Sequence, residues 1–364
     1  MTRQLRTIGA DELRSLAIGT GILGTGGGTH PYLELLNIEK LYRQGKSVRL
    51  IDPLDLSDDD LVAELGYMGA PLVTKERLPD PEHICRPVRL MADLTGVKFA
   101  AVMAGEIGAE NGILPFLVAA LMDVPVVDAD TMGRAFPEMQ MSSFVIRGLS
   151  LTPFVLCDIR GNDVLVTDAV GPIAVERIGR QICTEMGAMA ATCRPPRRGR
   201  EVKAHGVLRS VSRAITLGNA VRIARENHSD PVETILSVES GILLFRGKVV
   251  DVVRQTTQGF VRGSASIDGL AEYAGRRFDV EFQNEFTIGR LDGELKITVP
   301  DLLCIVDALT AEAIGTETIR YGQRVAILSL PADPVLVSTE GLSYVGPRAF
   351  GYSVDFVSLH RMAQ

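Results

Sequence analysis

A chain of 364 residues exceeds what one hydrophobic core usually organises, so two domains are expected. Its residues are 46% hydrophobic and 23% charged, with a formal net charge of -7, an ordinary balance for a folded chain. No block rich in lysine and arginine dominates, which argues against nucleic acid as a partner, and no window approaches the ~20 apolar residues of a membrane span.

Met1 to Arg6 is followed by no long apolar run, so no secretory leader is expected and the cytoplasm is the expected compartment. Glu12 to Leu23 has helical spacing at Leu13, Leu16, Ala17 and Leu23, with Asp11 as candidate cap. The helix runs into Gly24-Thr25-Gly26-Gly27-Gly28-Thr29-His30, after which Pro31 suits the first turn of a helix ending near Tyr42. Strands are predicted at Val48–Ile51 and Leu61–Tyr67, a helix at Glu82–Leu94, and a buried strand at Val97–Ala104. A helix at Asn111–Met122 and a strand at Val126–Asp128 follow. This alternation predicts an α/β fold: an N-terminal domain over 1–168, with a mainly parallel sheet flanked by helices.

Beyond Leu149 the texture changes. Phe154–Cys157 and Val164–Val166 read as strands around an Arg160-Gly161-Asn162 turn, and Ala174–Met186 as a helix. Arg194 to Lys203, RPPRRGREVK, reads first as a solvated linker and second as a patch for an anionic ligand. A helix over Ser210–Asn227 leads into strands at Leu243–Phe245, Val249–Val253, Phe278–Phe282, Glu294–Val299 and Arg324–Leu330. The expectation is a β-rich α/β C-terminal domain over 169–364, whose last segment packs back on the first.

Two adjacent strand predictions end in acids: the apolar run Phe99–Ala104 leads to Glu106, with Asn111 beyond, and Pro125–Val127 leads to Asp128 and Asp130. Ligands of open α/β sheets bind outside the strand carboxyl ends, and unpaired carboxylates are costly to bury. Glu106, Asp128 and Asp130 are therefore the catalytic candidates, and hard oxygen ligands of this kind suit a divalent metal. Gly26, Gly27 and Gly28 can bring backbone N–H groups close to an anion, beside His30; a helix C-cap and tight turn explain them as well. Arg134 reads as a bidentate clamp on a carboxylate and, compatibly, as the ion-pair partner of Asp128 or Glu138. Asn284 lies in Phe282-Gln283-Asn284-Glu285-Phe286, where a strand would set it on the face opposite Gln283 and Glu285.

Several local matches carry no chemistry. Gly19-Thr20-Gly21-Ile22-Leu23-Gly24 fits GxGxxG literally but lies in a helical segment rather than after a strand, and Gly45-Lys46-Ser47 precedes a strand where a phosphate loop needs a helix. No nucleotide cofactor is expected. The five cysteines are single and odd in number, so reduced thiols are expected. Cys304, in Leu302–Val306, reads as core rather than as a nucleophile.

LGTGGGTHPYL (Leu23–Leu33), the Gly105–Asn111 unit, PVVDADTMGRAFPE (Pro125–Glu138) and GLSYVGPRAFGY (Gly341–Tyr352) together resemble the S-methyl thiohydantoin desulfurase family, often found beside hydantoinase/oxoprolinase-type proteins. The resemblance covers most of the chain as an N-terminal and a C-terminal family domain. It implies hydrolytic removal of methanethiol from a hydantoin-like ring. A non-catalytic subunit of a hydantoinase-type partner is the alternative, and a homo-oligomer is expected in either case.

Overall fold

The computed structural model describes residues 4–28, 31–70, 73, 80–257, 259–358 and 360. Among the described residues eleven strands precede residue 210: β1 (Leu5–Ile8), β2 (Val48–Ile51), β3 (Leu61–Gly69), β4 (Ala101–Ala104), β5 (Val126–Val127), β6 (Ala129–Asp130), β7 (Phe154–Cys157), β8 (Asp163–Val166), β9 (Met189–Cys193), β10 (Arg197–Arg198) and β11 (Val207–Leu208). The first sheet has the order β1-β2-β5-β4-β3-β9-β7-β8, with β10 also on β3. Only its centre is parallel, through β2–β5, β5–β4 and β4–β3. The expected mainly parallel sheet is therefore a mixed one. The chain after Leu149 folds a hairpin, β7–β8, and a return strand, β9, onto its margin with antiparallel pairing.

The central strands are largely buried, and β4 is so at all four residues, because helices cover the sheet. These are α1 (Ala10–Leu23), α2 (Tyr32–Arg43), α3 (Cys85–Thr95) and α4 (Leu114–Met122). Helix α4 is buried from Leu114 to Ala120 and packs on β4. Four more helices matter below: α5 (Ser143–Ile146), α6 (Pro172–Glu185), α7 (Gly199–His205) and α8 (Ser210–Glu226). The Arg194–Lys203 stretch is not a solvated linker. It enters β10 and α7, and Arg197 is buried.

Of the literal GxGxxG string, Gly19 and Gly21 lie in α1 and Gly24 is its C-cap, and Gly19 does packing work. A Cβ on Gly19 would stand 1.9 Å from the Ala214 carbonyl oxygen of α8, and one on Gly218 would stand 1.7 Å from the Ser15 oxygen of α1. The two helices touch backbone to backbone.

The second sheet is antiparallel throughout. It comprises β12 (Ile242–Thr257), β13 (Phe260–Gly269), β14 (Arg277–Gln283), β15 (Glu285–Leu291), β16 (Glu294–Thr298), β17 (Leu302–Asp307) and β18 (Arg324–Leu330), in the order β16-β15-β14-β13-β12-β18-β17. Strand β17 alternates faces as the pleat requires. Leu302, Cys304 and Val306 join the core under α1 and α8, while Leu303 and Ile305 join the core of the second sheet. The residues 282–286 are not one strand. Asn284 has φ 56° and turns the chain between β14 and β15. Among the described residues no helix is long and apolar enough to cross a membrane, and all five cysteines are buried and unpaired.

Gly218→Ala should destabilise the protein by about 1–3 kcal/mol or more through overpacking. Gly21→Ala, in the same helix pair, meets only an ordinary 3.5 Å contact with Ala313 and should be neutral or stabilising by up to ~1 kcal/mol. Chemical-denaturation midpoints of the two variants check this, and equal effects would contradict the helix-contact account.

Candidate functional site

At the carboxyl ends of β3 and β4 lies a cleft of about 760 Å³, counted out to its open mouth. The first sheet supplies Leu65 to Gly69, Gly105 and Glu106 to its wall, and Gly28, Asn111 and Arg194 add to it. Asn284 and Glu285 reach it from the tip of the β14–β15 hairpin, so both sheets contribute. Of the residues singled out from the sequence, Gly28, Glu106, Asn111 and Asn284 line this cleft; Gly26, Gly27, Asp128, Asp130 and Arg134 do not. His30 lies outside the described residues.

Glu106 follows β4 directly. Its Oε1 accepts from Asn111 Nδ2 at 2.6 Å and its Oε2 from the Phe136 N–H at 3.0 Å. Asn111 is itself fixed, because its Oδ1 accepts from the Tyr67 N–H at 2.7 Å. Burial raises the Glu106 pKa, against these two hydrogen bonds and the charges of Arg194 and Arg134, which lower it. Glu285 is in a different position. Its Oε2 is buried with no hydrogen-bond partner among the described residues. Burial, and then repulsion from Glu106, hold its pKa well above the carboxylate range despite the attraction of Arg134. One carboxyl thus has donors suited to its charged form, and the surroundings of the other favour its protonated form.

The glycine loop serves close approach. A Cβ on Gly26 would stand 2.4 Å from the Phe286 ring, one on Gly27 2.0 Å from Glu285 Oε1, and one on Gly28 2.7 Å from Ala109 Cβ. The Phe286 N–H donates to Thr25 O at 2.9 Å, and the Thr316 N–H to Gly26 O at 2.8 Å. Gly26 and Gly27 therefore seat the second sheet against the first, and Gly28 borders the cleft.

Arg134 is fully buried, and its donors are taken up by neutral groups. Nε donates to Ala135 O at 3.0 Å, Nη1 to Pro300 O at 3.0 Å and Asp301 O at 2.9 Å, and Nη2 to Thr25 Oγ1 at 2.7 Å and Phe286 O at 3.5 Å. Its guanidinium also lies 4.6 Å from the Phe136 ring centre. Neither expected role appears: no donor remains for a ligand carboxylate, and Asp128 and Glu138 are not among its hydrogen-bond partners.

The three acids do not converge. The chain leaves the first sheet after Val127, and β6 pairs instead with β11. Asp128 Oδ1 accepts from the Ser212 N–H at 2.9 Å, and its Oδ2 from the Ser212 hydroxyl, so it caps the first turn of α8 from outside the helix. Asp130 Oδ2 accepts from the N–H groups of Ile107 at 2.9 Å, Met132 at 3.0 Å and Gly133 at 2.7 Å. It pins the turns that place Glu106 and Phe136. Burial raises its pKa to about 7, against these bonds. Among the described residues no group of three or more histidine, cysteine, aspartate or glutamate side chains is arranged to hold a metal. Burial also pushes the Cys304 thiol up to about 12, in keeping with its reading as core.

Glu285 and Arg194, like Glu110, Glu138 and Arg180, line the cleft but are not among the site residues assigned from the sequence, although Glu285 is noted there beside Asn284 as a polar residue able to close over the crevice. For Glu285 the signal was present as an acid between Phe282 and Phe286, but Asn284 beside it drew the assignment. Arg194 was hidden in a segment whose prolines and basic residues resemble surface linker. Asn284 proves partly structural, since its Oδ1 accepts from the Val261 N–H at 2.9 Å.

Two family models cover the chain: S-Me-THD-like, N-terminal domain, over residues 11–168, and S-Me-THD-like, C-terminal domain, over residues 171–359. A search of curated proteins finds no match. Among solved structures, a crystal structure of a protein from Chromobacterium violaceum matches with a TM-score of 0.80 at 23% identity, over 97% of this chain and 100% of that one. That likeness establishes a shared fold.

Asp130 binds its proton more tightly when folded, near pH 7, than when unfolded, near ~3.9. Its contribution to stability is thus full below ~3.9 and is lost as pH rises to about 7. Asp130→Asn keeps an acceptor for the three N–H groups and does not ionise. Relative to this variant, the wild type should lose stability between about pH 4 and pH 7; a difference independent of pH in denaturation curves would contradict the assignment.

Proposed function

The chain belongs to the S-Me-THD-like family, and from that premise we propose that it hydrolyses a five-membered cyclic isothiourea, releasing methanethiol from an S-methyl thiohydantoin. The observation that carries the reading is the pair Glu106 and Glu285 in one cleft: burial raises the pKa of both, and repulsion from Glu106 adds to the rise at Glu285, whose pKa stands well above the carboxylate range. Two carboxyls in that condition divide the base and acid roles.

In this reading water adds to the ring carbon that bears sulfur. The Glu106 carboxylate, held by Asn111 and the Phe136 N–H, takes a proton from the water. The Glu285 carboxylic acid gives its proton to the ring nitrogen sharing the attacked double bond. The C–S bond of the tetrahedral intermediate then breaks. Methanethiolate leaves with the proton from Glu106, and the new hydroxyl returns a proton to Glu285 as the ring carbonyl forms. Both carboxyls end as they began, and the products are methanethiol and a hydantoin. Met68, Met132, Met139, Met189 and Phe136 also line the cleft, and polarisable, unbranched side chains suit a methylthio group.

Methanethiol release, followed with a thiol-trapping dye, tests the proposal. Glu106→Gln and Glu285→Gln should each lower kcat by roughly 10²–10⁴-fold, whereas Asp128→Asn should turn over normally and lose stability instead. The rate should fall at low pH as Glu106 protonates and at high pH as Glu285 ionises. Wild-type turnover by both glutamate variants defeats the mechanism. Ring binding without turnover by the wild type favours the non-catalytic subunit.

A further inference from the structure

Glu64 poses a question that the mechanism above leaves open. It lies inside β3, in the otherwise apolar run Leu61-Val62-Ala63-Glu64-Leu65, and its side chain is 1% exposed. Two arginines meet it. Arg194 Nη1 pairs with its Oε1, and Arg197 Nε stands 3.7 Å from its Oε2. A buried ion cluster of this kind is often no more stable than apolar residues of the same volume, so stability alone is a weak reason for it.

The two arginines differ in what else they touch. Arg197 faces inward: its Nη2 donates to Ser150 O at 2.6 Å and its guanidinium lies 5.1 Å from the Phe144 ring centre. Arg194 borders the cleft. Its guanidinium covers Gly105, where an added Cβ would stand 2.8 Å from Nη1, 3.0 Å from Cζ and 3.1 Å from Nη2. Gly105 immediately precedes Glu106. Among the described residues Glu64 is the side-chain acceptor of Arg194, bound through Nη1, which leaves further N–H donors at the cleft wall.

Resting on the proposed reaction, we infer that Arg194 is a catalytic residue that holds the ring carbonyl oxygen of the substrate, and that Glu64 is the positioning residue that aims it. In an S-methyl thiohydantoin the attacked C=N is conjugated to a ring carbonyl. As water adds, the electron pair of the C=N moves onto nitrogen and is shared with that carbonyl oxygen. A fixed guanidinium there stabilises charge that develops during the addition, while Glu285 supplies the proton to nitrogen. Glu64 neutralises Arg194 on its inner side and limits its rotamers. The substrate class is thereby narrowed to isothioureas acylated within the ring.

Calorimetric binding of hydantoin itself, which has the carbonyl but no leaving group, separates this inference from the reaction. The wild type should bind hydantoin, and Arg194→Met should bind it at least about tenfold more weakly, with kcat on the S-methyl substrate lowered by roughly 10²-fold or more. Gly105→Ala displaces the guanidinium without removing it and should weaken hydantoin binding as well; it decides the matter if Arg194→Met does not fold. Glu64→Gln should raise KM and the hydantoin Kd with the shape of the pH profile unchanged, whereas the Glu106 and Glu285 variants change that profile. Hydantoin binding by folded Arg194→Met equal to that of the wild type overturns the inference, as does failure of the wild type to bind hydantoin. If the wild type binds hydantoin through Arg194 but does not release methanethiol, the docking role stands and the hydrolytic reading fails.

Discussion

A guanidinium with no solvent contact must find an acceptor for its N–H groups within the protein, and Arg134 does so by drawing several chain segments to one point. Thr25 comes from the loop after α1, Ala135 from the turn after β6, and Pro300 and Asp301 from the entry to β17. Taking a charge out of water is costly unless it is well paired. The acceptors here are mostly carbonyl dipoles, so the positive charge persists and acts on its surroundings. It lowers the pKa of both Glu106 and Glu285 from behind the cleft. The same residue that joins the sheets therefore tempers the two carboxyls between them.

The cleft follows from that junction. Parallel β3 and β4 deliver Leu65–Gly69 and Gly105–Glu106 to one end of the sheet. Only glycine at 26 and 27 lets Phe286 and Glu285 come near enough to close that end. Closure excludes water, and the loss of water raises the proton affinity of each acid. Fold and chemistry are coupled here by a shared dielectric environment.

Much of this was legible in the sequence where the signal was local. Helix α1, the helix from Ser210, the β7–β8 hairpin and the strand leading to Glu106 all lie close to where periodicity put them, and the GxGxxG string was rightly read as helical. The resemblance to the family, carried by four separated motifs, held as well. What could not be read depended on contacts across the chain. The acids after Val127 look like a strand tip, but β6 peels away to pair with β11, which takes Asp128 to α8. The parity of a strand could not reveal that Asn284 reverses the chain, since the reversal is fixed by Val261. Arg194 and Arg197 look like surface residues until Glu64, some 130 positions away, is set beside Arg194.

The alternation along β17 bears on how this chain can be taken apart. Leu302, Cys304 and Val306 complete a core built largely from residues before 240, and Leu303 and Ile305 complete another. Strand β9, from beyond the family-model boundary at 168–171, sits between β3 and β7 of the first sheet. The two family segments are thus woven together rather than strung in series. Recombination at that boundary would not transfer a self-sufficient module: each half would leave behind an unpaired sheet edge and an uncovered apolar face. Neither half has a shape of its own to carry elsewhere, because each completes its core with residues of the other.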